Sequence, residues 1–169
     1  MKLVFLDIDG VLNGHDWDEP AQSCLIRREC IDHLSRIIRE TDARLVISSA
    51  WRYMILGGDM TDRGFSYLLR THGLLAGGLG GKVVVGHVGP DKDQTNFIDR
   101  AEQIVAWLAD HPEAEHVVCL DDEDFGYSRF GLPFVQTDFN CGLTAADAER
   151  AIAILNATPP QWNKDRVRP

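Results

Sequence analysis

Four apolar residues, Leu3-Val4-Phe5-Leu6, run directly into Asp7-Ile8-Asp9-Gly10. The apolar run predicts a strand covered on both faces, as in a parallel sheet. A carboxylate inside such a strand is costly unless compensated, so the acids belong just past its carboxyl end. That edge is where open α/β sheets bind ligands. If the chain stays extended to Asp9, Asp7 and Asp9 face one way and Ile8 faces the protein. Two carboxylates about 4 Å apart repel by roughly 4 kcal/mol at an effective dielectric near 20, so the pair calls for a cation or a shared proton. A hard divalent ion such as Mg²⁺ takes oxygen ligands of this kind.

The same design recurs twice. Ala43 to Ile47 reads as a second buried strand, ending in Ser48-Ser49-Ala50-Trp51-Arg52. A hydroxyl at a strand's carboxyl end, followed by a helix start, aims O–H and free N–H groups at an anion. Arg52 either holds a phosphate with its fork of donors or pairs with acids on the surface. Trp51 is read as packing. His116 to Leu120 is a third buried strand, ending in Asp121-Asp122-Glu123-Asp124. Again the acids begin where the apolar residues stop.

Between these edges the chain alternates with helical patterns. Residues 13–22 form a loop rich in turn formers and acids, and Ser23 is the expected N-cap of a helix of about fifteen residues. Its apolar stripe is Ile26, Cys30, Ile31, Leu34, Ile37 and Ile38, with His33 on the helix surface. Phe65 to Thr71 predicts a short helix stopped by Gly73. Lys82 to Val88 predicts a strand, preceded by the glycine-rich turn 77–81, which lacks the residues of a phosphate-binding P-loop. Asp99 to Leu108 predicts a helix capped by Asn96 or Asp99. Phe134 to Gln136 predicts a last strand, and Thr144 caps a helix from Ala145 to Leu155.

The string FLDIDGVLN resembles motif I of the haloacid dehalogenase-like (HAD) superfamily, with Asp7, Asp9 and Val11 at its defining positions. The resemblance implies that Asp7 is a nucleophile toward phosphorus and Asp9 a general acid/base. Asp9 also argues against carbon–halogen hydrolysis, because the family's dehalogenases lack this second Asp. Motif II places a phosphate-binding hydroxyl at Ser49, with Ser48 as runner-up. Motif III places a cation at Arg100, with Lys92 as the alternative. Motif IV matches VVCLDDEDFG, with metal ligands among Asp121 and Asp122, and Asp124 joining through water. Mg²⁺ would span Asp7, the backbone carbonyl of Asp9, and Asp121 or Asp122. The S-x-W-R of Ser49, Trp51 and Arg52, an Arg opening the penultimate helix, and the closing GLT-A-A-D-A-E-R-A-I run are similar to the small HAD domain of RNA-repair proteins.

The expected fold is α/β: a single Rossmann-like domain over residues 1–158, with a central parallel sheet, helices on both faces and no large cap domain. Residues 159–169 make a polar tail, mobile or docked by Trp162. The expected function is Mg²⁺-dependent phosphomonoester hydrolysis through an aspartyl-phosphate on Asp7, acting on a nucleotide or another bulky phosphate ester. A polynucleotide end phosphatase is the alternative, disfavoured by the formal charge of −9, which repels nucleic acid and anionic membrane. A non-catalytic Mg²⁺-binding receiver-like module and a degenerate HAD module are the rivals. No apolar run approaches the roughly 20 residues of a membrane span, and no signal peptide precedes the first strand, so a cytoplasmic location is expected. Cys24, Cys30, Cys119 and Cys141 suggest neither a disulfide framework nor a zinc site.

Overall fold

The first strand, β1 (Lys2–Leu6), lies in the middle of the molecule. In chain order there follow an antiparallel ribbon of β2 (Trp17–Asp18) and β3 (Ser23–Cys24), then α1 (Arg28–Thr41) and β4 (Arg44–Ile47). Next come a 3₁₀ turn (Ala50–Arg52), α2 (Tyr53–Leu56), α3 (Asp62–Thr71) and β5 (Val84–His87). The chain ends with α4 (Arg100–Ala109), β6 (His116–Asp121), β7 (Phe134–Gln136) and α5 (Ala145–Asn156). The computed structural model describes residues 1–14, 17–18, 23–75, 82–89, 100–158, 160 and 162. The strands of the main sheet are all parallel, in the order β5-β4-β1-β6-β7.

Alternation along β1 divides the core. Val4 and Leu6 join the cluster built from α1, α3 and α5, with Ile31, Leu34, Phe65, Leu69 and Ala151. Leu3 and Phe5 join the opposite cluster, with Ala101, Ile104 and Leu108 of α4. These four apolar residues of β1 have zero solvent exposure, and each apolar side chain so buried contributes about 1.5–3 kcal/mol. This is why an unalternating apolar run becomes the central strand: both of its faces are covered by helices. Trp162 packs in the α4 cluster and is buried, so the tail is docked at that point.

Most predicted elements are found, with shifted ends. Ser23 does not cap α1. It pairs with Asp18 in the ribbon, and α1 starts five residues later, at Arg28, with Arg27 in the N-cap position and no side-chain cap. The backbone N–H of Arg27 donates instead to Leu12 O at 2.7 Å, tying the helix start to the turn after β1. α3 is longer than expected because Thr61 caps it, accepting from Gly64 N–H at 3.0 Å. Asp121 lies within β6, not after it, and is wholly buried. Lys92 and the proposed caps Asn96 and Asp99 lie outside the described residues. No inserted domain follows β1 or β4 among the described residues, and no helix there is long and apolar enough to cross a membrane. Cys30 and Cys119 are buried and free, as their apolar surroundings suggested.

Candidate active site

Register brings the site together. Leu6 pairs with Ile47 on one side and with Leu120 on the other. One residue further along, Asp7 is flanked by Ser48 and Asp121, and the backbone bonds Ser48 N–H to Leu6 O and Asp7 N–H to Leu120 O, both 3.0 Å, continue the ladder. By alternation all three side chains share the face of Leu3, Phe5, Val46 and Cys119, which is the face covered by α4. Arg100 is the first residue of α4. Its guanidinium is held by acids from two strands. It is placed for the acids: Nη1 lies 2.9 Å from Asp7 Oδ2 and also pairs closely with Asp121 Oδ2.

Asp7 is buried and accepts from the Ile8 N–H at 2.9 Å. Asp121 accepts from the buried Tyr127 hydroxyl at 2.6 Å and from the Glu123 N–H at 3.2 Å. Burial, followed by the charge of Asp7, pushes the Asp121 carboxyl up to about 7, with Arg100 and Tyr127 pulling the other way. Burial alone would lower the Arg100 pKa, but Asp7 and Asp121 outweigh it and raise the value. The guanidinium also stacks over Phe125, 4.3 Å from the ring centre. This buried network fixes Arg100 as a cation at any pH the fold survives.

The turn after β1 is built around Ile8, whose carbonyl accepts from the N–H groups of Val11, Leu12 and Asn13. Gly10 has φ +74°, and its missing side chain makes room for Asp122: a Cβ there would lie 2.5 Å from Asp122 Cγ. Thr137 fastens the turn from the β7 side, donating to Gly10 O at 2.8 Å. Asp122 is half-buried, and burial raises its pKa. One oxygen each from Asp7, Asp121 and Asp122 lie within 4.8 Å of one another. An all-carboxylate set drawn this close fits a hard divalent ion such as Mg²⁺. Asp9 is half-buried and takes hydrogen bonds from Asn13 Nδ2 at 2.8 Å and from the Trp51 indole.

The two serines differ. Ser49 Oγ accepts from Trp51 N–H at 3.3 Å and caps the 3₁₀ turn. Ser48 Oγ is buried and has no hydrogen-bond partner among the described residues. Arg52 is not a surface residue. It is buried, donates to Ser48 O at 3.1 Å and Ser49 O at 2.8 Å, and reaches Gln103 at 3.2 Å. Burial lowers its pKa. Sequence reasoning thus gathered Asp7, Asp9, Arg100, Asp121 and Asp122 at one edge but did not see Tyr127, Asn13 or the polar role of Trp51. For Ser48 the signal was available: aligning Leu6-Asp7, Ile47-Ser48 and Leu120-Asp121 by strand end puts it level with the nucleophile candidate.

Parallel α/β topology, with acids and the Ser48 hydroxyl at the carboxyl edge of the central strands, is the arrangement a HAD-type domain presents. Residues 3–148 match the family model described as the HAD domain in Swiss Army Knife RNA repair proteins, and the chain belongs to that family. A search of curated proteins found no match.

Proposed function

We propose that the chain is a phosphomonoester hydrolase that works through an aspartyl-phosphate on Asp7. The observation that supports this reading is the row Ser48–Asp7–Asp121, closed by Arg100 from the α4 side. A carboxylate oxygen of Asp7 forms a bond to phosphorus as the ester P–O bond breaks, and Asp9 gives its proton to the leaving oxygen. Asp9, now ionised, takes a proton from water as the water oxygen bonds to phosphorus. The P–O bond to Asp7 breaks, releasing phosphate, and both aspartates return to their starting states. The Ser48 hydroxyl, without a partner among the described residues, donates to a phosphoryl oxygen, replacing Ser49 in the role expected from sequence. Arg52 braces the Ser48–Ser49 backbone.

Asp7 and Asp122 are the residues that would hold Mg²⁺, with Asp121 beside them but already engaged by Arg100 and Tyr127. When bound, the ion would offset the negative charge shared by these acids and a phosphate.

The family's occurrence in RNA repair proteins favours one further reading, a phosphate at a polynucleotide end as substrate. The formal charge of −9 weighs against it. The two donors on Asp9 weigh against a receiver-like module, and the intact row weighs against a degenerate one.

Steady-state assays with Mg²⁺ on a nucleotide, 5′- and 3′-phosphorylated oligonucleotides, a phosphopeptide and a sugar phosphate test this. Activity is expected in the wild type and absent from a folded Asp7→Asn variant. With no inserted domain over the site among the described residues, the bulky esters should give the higher kcat/KM. An active, folded Asp7→Asn protein would overturn the assignment of the nucleophile.

A further inference from the structure

Trp51 does pack, as its sequence context suggested: its ring stands edge-on to Phe65, with centroids 6.4 Å apart at 70°. Its N–H has another use. Nε1 lies 3.2 Å from Oδ1 of Asp9 and 3.1 Å from Oδ2, so one rigid donor points between the two oxygens. Asn13 Nδ2 adds a second bond to Oδ1 at 2.8 Å. Asn13 is itself fixed, being wholly buried and accepting from Gly10 N–H at 3.1 Å. Among the described residues, Oδ1 therefore carries two donors, while Oδ2 has only its half of the indole bond.

A carboxylate beyond a strand end is ordinarily free about its last torsion, which is broad and nearly two-fold, so its oxygens exchange places. A bifurcated bond from a ring wedged against Phe65 removes that freedom. Indole is a donor only. It can orient Asp9 without taking up a proton, as a histidine could, and without offering an acceptor, as a glutamine could. Trp51 also follows Ser48 and Ser49 on the 3₁₀ turn, so it ties the end of β4 to the turn after β1.

We propose that Trp51 is the positioning residue of Asp9, holding its carboxyl plane so that Oδ2 presents the proton to the leaving oxygen. This rests on the hydrolase reading above. An acid misplaced by a rotated carboxyl matters most where the leaving group needs a proton, and least where it leaves as a stable anion.

The test compares kcat/KM, which reports steps up to phosphoryl transfer to Asp7, for an alkyl phosphate and for p-nitrophenyl phosphate. Two variants are used. Trp51→Phe keeps a ring against Phe65, and 3-benzothienylalanine at position 51 keeps the full bicyclic shape while replacing N–H by sulfur, which protects the test against misfolding. Both should lower kcat/KM for the alkyl ester by about tenfold or more and leave p-nitrophenyl phosphate within about threefold. An equal fall on both esters would show a merely structural role, and no fall on either would show none; each overturns the proposal. A folded wild type inactive on both esters would overturn the hydrolase reading, and this inference with it.

Discussion

Arg100 Nη1 lies 2.9 Å from Asp7 Oδ2 and shares the same nitrogen with Asp121. One cation thus serves two buried carboxylates, both less than a tenth exposed. Removing one partner of a buried ion pair costs about 3–5 kcal/mol, because the remaining charge is left uncompensated. Arg100→Met should therefore lower the urea midpoint strongly and abolish activity. Arg100→Lys keeps the charge but loses the planar fork, and should fold while retaining reduced activity. Equal stability of Arg100→Met and wild type would show that the acids find their compensation elsewhere.

The serine pair separates folding from binding. Ser49→Ala loses the cap of the 3₁₀ turn and should destabilise by about 1 kcal/mol, with little kinetic effect. Ser48→Ala removes a buried hydroxyl that has no partner among the described residues, so stability should hold or rise slightly. Its kcat/KM should fall by about tenfold to a hundredfold, the order of one lost donor to developing charge. Thermal melts and steady-state kinetics on both variants check this. The reverse pattern would return the phosphate-binding role to Ser49.

Acid stability has a source far from the site. Asp147 closes a capping box on α5, accepting from the Thr144 hydroxyl at 2.6 Å and its backbone N–H at 2.9 Å, and pairs with Arg150. Burial would raise its pKa, but these bonds outweigh it and lower the value. A carboxyl lower in the folded than in the unfolded state stabilises above the unfolded pKa, about 3.9, and loses that contribution as pH falls through the folded value. Asp147→Asn should cost about 0.5–1.5 kcal/mol at pH 7, and the gap from wild type should close toward pH 2.5. Urea titrations at both pH values measure it. A gap that stays constant would assign the loss to packing.

Strand composition made the fold legible. Parallel strands covered on both faces need unbroken apolar runs, and Leu3 to Leu6, Leu45 to Ile47 and Val117 to Leu120 supply them, each followed by the polar residues that mark the binding edge. What stayed hidden depends on distance in the chain. Tyr127 reaches Asp121 only through the turn after β6, and Arg52 is buried because β4 delivers it against α4, where Gln103 meets it. Ser23 looks like a cap locally, but its backbone is taken by pairing with Asp18. Trp51 looked apolar because the sequence carries no sign that its N–H would meet Asp9.

Gly10 tests the cation site without touching a carboxylate. Its φ of +74° lies in the left-handed region, where a side chain costs roughly 1–2 kcal/mol. A methyl there would also approach Asp122 Cγ to 2.5 Å, so Asp122 must shift from its present place beside Asp7 and Asp121. The two effects separate experimentally. The strain lowers the melting temperature of Gly10→Ala with or without metal, whereas displacement of Asp122 acts only on ion binding. Wild type treated with chelator should gain stability on adding Mg²⁺, as any ligand that binds the folded state must provide. Gly10→Ala should remain folded without metal and gain little or nothing from it. A metal-dependent rise as large as that of wild type would show that Asp122 is dispensable, leaving Asp7 and Asp121 to hold the ion.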